Sequence, residues 1–217
     1  MSNATTETPS ALRRSLLALP DAVSCGSFLL LWIAPLQFGA HGVRNGMLLM
    51  LVEFVLIHSG AVLGSLLHTP GTSHRIKLLS LLGFGLFYSL FIAAFAFSFG
   101  AWWPVLAFSW LLLGKLTRVF EPTYGAGRSG PAQSDWALSM LFYLGAVLTS
   151  LLLPLPRLGI SAELQPLLEI PGTGAWVDRP HSVIAFGALY FGLQAWSKWK
   201  QWQLPNQKKP PASVSGD

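Results

Sequence analysis

The stretch GMLLMLVEFVLIHSGAVLGSLL, residues 46–67, decides the fold. It has the length of a membrane span, which needs about 20 mostly apolar residues. One carboxylate, Glu53, and one imidazole, His58, stand inside it. An ionised side chain at the centre of a bilayer costs about 2.5–3.5 kcal/mol or more. Such a residue needs a partner, a polar cavity or a task, so these two head the list of candidate functional residues.

Outward from this stretch, the chain repeats the apolar pattern. Its 217 residues are 52% hydrophobic and 11% charged, with a mean hydropathy of +0.51. Water-soluble domains carry about 25% charged residues. Apolar runs give spans at about 22–40, 45–67, 78–99, 102–116, 136–156 and 182–199. The third and fourth come from one uncharged run of 37 residues, Leu78–Gly114, with Gly100 and Pro104 marking the hairpin between them. The expected fold class is therefore all-α, a polytopic membrane protein built as a bundle of six transmembrane helices. Residues 1–20 read as a cytoplasmic tail in which Ser10–Leu19, with Arg13 and Arg14, forms an interfacial helix. Pro20 and Asp21 separate that helix from the membrane domain, 21–203, and 204–217 reads as a basic tail.

Charge sets the orientation. The net charge is +5, which by itself could suit nucleic acid. Of the 14 basic residues, however, all but Arg44, Arg157 and Arg179 fall in the tails and the two loops that six spans place on one side. This bias puts both termini in the cytoplasm of a cell inner (plasma) membrane protein. The partners implied are the bilayer and anionic headgroups at its cytoplasmic face, with no nucleic acid. A homo-oligomer or a membrane partner is compatible with the pattern. The single cysteine, Cys25, cannot form an internal disulfide and reads as a small apolar side chain.

Helix geometry sorts the second span. With Glu53 at zero and about 100° per residue, Gly46, Leu49, Ile57, Gly60, Gly64 and Leu67 fall within about 40° of it. Leu48, Leu51, Val52, Val55, Leu56, Val62, Leu63 and Leu66 fill the opposite arc, with Ser59 as its polar exception. The glycine face is expected to point into the bundle and the leucine–valine face toward lipid. Gly60 and Gly64 form a GxxxG, read as helix packing within the chain or, less favoured, between copies. His58 lies about 140° from Glu53, so each is expected to reach a different neighbour. One reading makes them a site that binds or relays a proton or cation. The other makes them a structural polar knot, with Tyr88, Tyr143 or Tyr190 as the partner of Glu53.

A second constellation lies at the opposite end from the tails. His41 and Arg44 follow the first span, and Asp178, Arg179 and His181 precede the sixth. If the two ends meet they form an outer polar mouth above Glu53; otherwise they anchor and cap helices at the interface. No cofactor and no metal is implied. Haem between two histidines needs imidazoles at matching depth on facing spans, and His58 stands alone at mid-depth. His68 and His74 lack a ligand spacing. The GxGxxG letters at Gly125–Gly130 follow no strand, and G-x-S-x-G is absent. The chain leans away from an enzyme without closing the question.

Glu53–His58, EFVLIH, together with Ala185–Gly192, AFGALYFG, resembles a family of uncharacterised bacterial multi-pass inner-membrane proteins. The resemblance implies a multi-pass membrane protein and transfers no catalytic residue. The functional expectation is a small transporter or permease-like protein using Glu53 and His58 for a proton or cation. The alternative is a non-catalytic membrane subunit or assembly protein held together by the same residues.

Overall fold

The structure, a computed structural model, describes residues 11–68, 71–119 and 129–200. The N-terminal ten residues, most of the glycine-rich match at 125–130 and the basic tail 204–217 lie outside them. Among the described residues all regular structure is helical: α1 (Ala11–Ile33), α2 (Gly42–His68), α3 (His74–Phe99), α4 (Trp103–Val119), α5 (Ser129–Leu152), the short α6 (Ala175–Asp178) and α7 (Pro180–Lys200). Single 3-10 turns, Pro35–Phe38 and Gln165–Leu168, sit in the connections.

Three helical stretches are long and apolar enough to cross a membrane: Arg14–Ile33, Gly42–Leu66 and His74–Phe99. Trp103–Leu113 and Trp136–Leu152 are shorter apolar stretches of α4 and α5. The outer face of α3 carries Leu79, Leu86, Leu90 and Phe97, each more than 60% exposed. Water tolerates so large an apolar surface poorly, whereas hydrocarbon accepts it.

Local chemistry explains the helix ends. The Ser73 hydroxyl accepts from the Ile76 amide and caps α3, and Gly100 closes the other end in the left-handed region at φ +59°. The Arg44 guanidinium, carried by α2, donates to the Phe99 carbonyl at that end. α1 stops at Ile33 because Ala34 precedes Pro35, and a residue before proline is pushed out of helical backbone; Ala34 sits at φ −135°, ψ 71°.

The first span thus differs from its expected range of 22–40. One continuous helix runs through Pro20, and residues 35–38 form the 3-10 turn instead. Packing overrides the proline: Ala18, Phe28 and Leu31 are buried, and α1 lies along α7 more extensively than any other helix pair touches. A Cβ at Gly187 of α7 would overlap the Phe28 ring, so glycine is what permits this approach. The two helices are antiparallel, with Asp21 in the first half of α1 paired to Lys198 in the last turn of α7 at 2.5 Å.

α7 shares the centre with α2: thirteen of its 21 residues are buried. α2 touches α1, α3, α4, α5 and α7. This corrects the expected lipid face of α2. Leu48, Val52, Val55, Ser59 and Leu63 are buried, between 0% and 6% exposed, because that arc packs among other helices rather than facing out. On the other side of α2, Gly46 packs on Ile184 and Leu31, whereas a Cβ at Gly60 would meet nothing within 4 Å.

After α5 the chain folds back over the end of α1. The Gly159 amide donates to the Trp32 carbonyl at 3.0 Å, and the Trp32 indole donates to the Pro156 carbonyl at 2.9 Å. A helix leaves its last carbonyls without internal partners, and this loop fills one of them. Any side chain at Gly159 would overlap the Ile33 carbonyl.

Candidate functional site: a polar chain between three helices

Glu53 sits midway along α2, partly buried, and faces α7. The Tyr190 hydroxyl donates to its Oε1 at 2.7 Å. The Gln194 amide nitrogen donates to the Tyr190 oxygen at 3.0 Å and to the Ser139 hydroxyl of α5 at 2.6 Å. One chain of three hydrogen bonds thereby ties α2, α7 and α5. Its α7 members stand one turn apart, at 190 and 194, and the same row reaches Lys198 with its Asp21 partner a turn further on.

Tyr143 of α5 adds a second tie, its hydroxyl donating to the Met50 carbonyl at 2.7 Å. Its ring packs edge-on to Phe186 at 4.8 Å and to Tyr190 at 5.5 Å. Beyond Glu53, toward the end where α2 starts, the core is apolar: Met47, Met50, Ile184 and Phe186 are buried there. The polar row therefore runs from Glu53 toward the Asp21–Lys198 end, away from the expected mouth.

His58 does not meet Glu53. It is exposed, stacked on Phe54 at 6.0 Å and edge-on to Tyr88 of α3 at 5.9 Å. Of the five mouth candidates, Arg179 and His181 interact electrostatically. His41 is exposed in the turn before α2, and Arg44 caps α3 as described above. The Gln165 amide holds the carbonyls of Val177 and Asp178, each at 3.1 Å, which fixes α6 against the preceding loop. Asp178 and Arg179 are exposed, while His181 is buried with its Nδ1 unpartnered. Among the described residues no hydrogen bond or ion pair links any two of the five. Gly60 has open space beside it among the described residues, and Gly64 stands one turn on along α2.

Burial and the charges of Arg157 and Arg179 lower the pKa of His181, burial contributing most. Glu163, in the loop before it, is held below the usual carboxylate range chiefly by the Ser161 hydroxyl. One cavity, of about 310 Å³, is lined by Gln165, Pro166 and Glu169, and another, of about 370 Å³, lies between α1, α5 and α7. Neither reaches Glu53. A lone carboxylate ringed by phenols and an amide can accept hydrogen bonds and hold helices in register. No group of three or more His, Cys, Asp or Glu among the described residues could hold a metal ion.

Sequence reasoning placed Tyr190 among three tyrosines open to Glu53 and missed Gln194, Ser139 and Asp21. The legible signal was the spacing of Tyr190, Gln194 and Lys198, four apart on one helix face.

The comparisons add no relative: no family model, no curated protein and no solved structure matches the chain. The functional reading therefore rests on the geometry.

Proposed function

We propose that this chain is a six-span bacterial inner-membrane protein, both termini cytoplasmic, that acts as a non-catalytic membrane subunit or assembly component. In this reading α4, α5 and α7 join the three long apolar helices as spans. α7 can span because Tyr190 and Gln194 bond to other helices and its terminal lysines reach the interface. The Glu53–Tyr190–Gln194–Ser139 chain serves as the knot that fixes α2, α5 and α7.

The observation that carries the reading is the 2.7 Å bond from Tyr190 to Glu53, made between neighbouring helices. Reconstituted protein should show no proton or cation flux above empty liposomes, and Glu53→Leu should destabilise it. A pH-gradient-driven flux that Glu53→Gln abolishes would refute the knot and establish the second reading, a proton relay. One observation favours that alternative: the α7 row leads from Glu53 to the ion pair of Asp21 and Lys198.

A further inference from the structure

The segment between α5 and α7, residues 153–179, is fastened to the bundle rather than slung beside it. Two of its side chains, Ile160 and Leu168, are each 1% exposed and belong to the core. Trp32, near the end of α1, accepts from the Gly159 amide and donates to the Pro156 carbonyl. Further along, the Gln165 amide holds the carbonyls of Val177 and Asp178, and the Trp176 ring lies 6.1 Å from that of Phe186 on α7. Leu158 and Glu169 hold left-handed backbone at φ 47° and 46°. Side chains disfavour that conformation, so surrounding contacts must maintain it.

Both ends of the segment bear on one side chain. His181, in the first turn of α7, is 6% exposed, and its Nδ1 is buried with no hydrogen-bond partner. Arg157, near the start of the segment, and Arg179, at its end, both act on this ring electrostatically. The remaining charged groups of this end are placed elsewhere. Glu163 is exposed and its charge is coupled to Arg157, and Asp178 is exposed next to Arg179. From α2, Arg44 is turned to the Phe99 carbonyl, and His41 is exposed in the turn before it. A neutral imidazole here leaves one lone pair unpaired. A protonated ring would put an N–H without an acceptor, and a positive charge, at the same buried point. It would do so beside two guanidinium groups and the positive end of the α7 dipole. Burial and like charge both oppose it. α1, α2 and α5 are joined to α7 by long packed faces, so the segment 153–179 is what can leave this end.

We infer that the segment 153–179 is an acid-released latch on the end of the bundle and that His181 is its trigger. With the ring neutral the latch is closed. Protonation releases it, uncovering Ile160 and Leu168 and drawing Leu155 out of the wall it shares with α1, α5 and α7. The latch uses no member of the Glu53 chain, so it stands under either reading of that chain. In the topology proposed above it faces away from the tails and responds to acidity outside the cell. Burial and the two arginines hold the folded-state pKa of His181 below its ordinary 6.5. The closed form is therefore fully favoured above that pH and loses ground as pH falls from 6.5 toward the lower folded-state value.

The test is hydrogen–deuterium exchange of the full-length chain in micelles at about pH 7.5 and about pH 5, corrected for the intrinsic pH dependence of exchange. The amides of Gly159, Gln165 and Arg179 are the reporters, since they donate to the carbonyls of Trp32, Ser161 and Ala175. Their protection should fall in acid by up to about tenfold per pH unit below 6.5, the slope set by one proton, while α3 keeps its own. His181→Gln should abolish the fall. Arg157→Gln with Arg179→Gln, at exposed positions, should lessen it, because without the two cations the closed latch resists the proton less. Equal protection of the wild-type segment at both pH values overturns the latch. Equal loss in α3 overturns it too, by showing that the whole bundle unfolds. A folded His181→Gln variant that opens like wild type overturns the trigger. If that variant does not fold, the double-arginine protein decides, and a fall as large as in wild type overturns the assignment.

Discussion

Replacing Tyr190 by phenylalanine removes one oxygen and breaks two hydrogen bonds while leaving the ring packing on Tyr143 and Phe191 in place. Between membrane helices a side-chain hydrogen bond contributes about 0.6 kcal/mol on average and about 1.7 at most. The substitution does more than delete a favourable contact, because it also leaves the Glu53 oxygen without its donor and one Gln194 proton without its acceptor. A buried polar group stripped of its partner costs about 1–3 kcal/mol. Gln194 keeps Ser139, which lessens its share. The expected loss is therefore about 1–3 kcal/mol, with most of it assigned to Glu53. Equilibrium unfolding by SDS in mixed micelles, followed by far-UV circular dichroism, measures it. A double-mutant cycle with Glu53→Ala should return a coupling of about 0.5–1.7 kcal/mol. A coupling within about 0.3 kcal/mol of zero would mean that the bond does not hold α2 to α7, and the knot reading fails.

Three other outcomes follow from the same structure. Gly187→Leu should cost about 1–3 kcal/mol by forcing α1 off α7, and a melting temperature equal to wild type would deny the close approach of Phe28. Arg44→Met should free the α3 terminus at about 1.5–3 kcal/mol, the usual value of a hydrogen bond from a charged donor; unchanged amide-exchange protection near Phe99 would contradict it. His181 has a folded-state pKa below its ordinary 6.5, so the unfolded chain binds the proton more readily and stability is greatest above about pH 6.5. Thermal stability should fall as pH drops below 6.5, and His181→Asn should flatten that dependence; an equal slope in both proteins would show the histidine to be uninvolved.

Hydropathy carried the fold a long way. Apolar runs placed the long helices, and the hairpin at Gly100 appeared where a glycine and a proline interrupt the longest uncharged stretch. Two failures have physical causes. Leu48, Val52 and Leu63 looked like a lipid face because leucine and valine are equally at home against hydrocarbon or another helix, so hydrophobicity does not tell inside from outside in a bilayer. Small and polar residues do tell, and α7, with Gly187, Gln194 and Ser197, carried that message. Pro20 looked like a boundary because its local cost was weighed without the long contact of α1 with α7. The partner of Glu53 was open among three tyrosines, since a sequence gives the depth of a side chain but not which helix stands beside it.

The pairing of α1 with α7 also has a cost in time. Asp21 and Lys198 are separated by 177 positions, and Glu53 and Tyr190 by 137. At about 5–20 residues per second, a ribosome needs roughly 7–35 s to deliver the second member of each pair. During that interval α1 lacks its principal neighbour and Glu53 lacks its donor, so the nascent chain holds an unsatisfied carboxylate that vanishes only when α7 arrives. A chain that stalls before Tyr190 is chemically distinguishable from a finished one, and membrane chaperones or proteases that sense polar groups in lipid could use that difference to clear it.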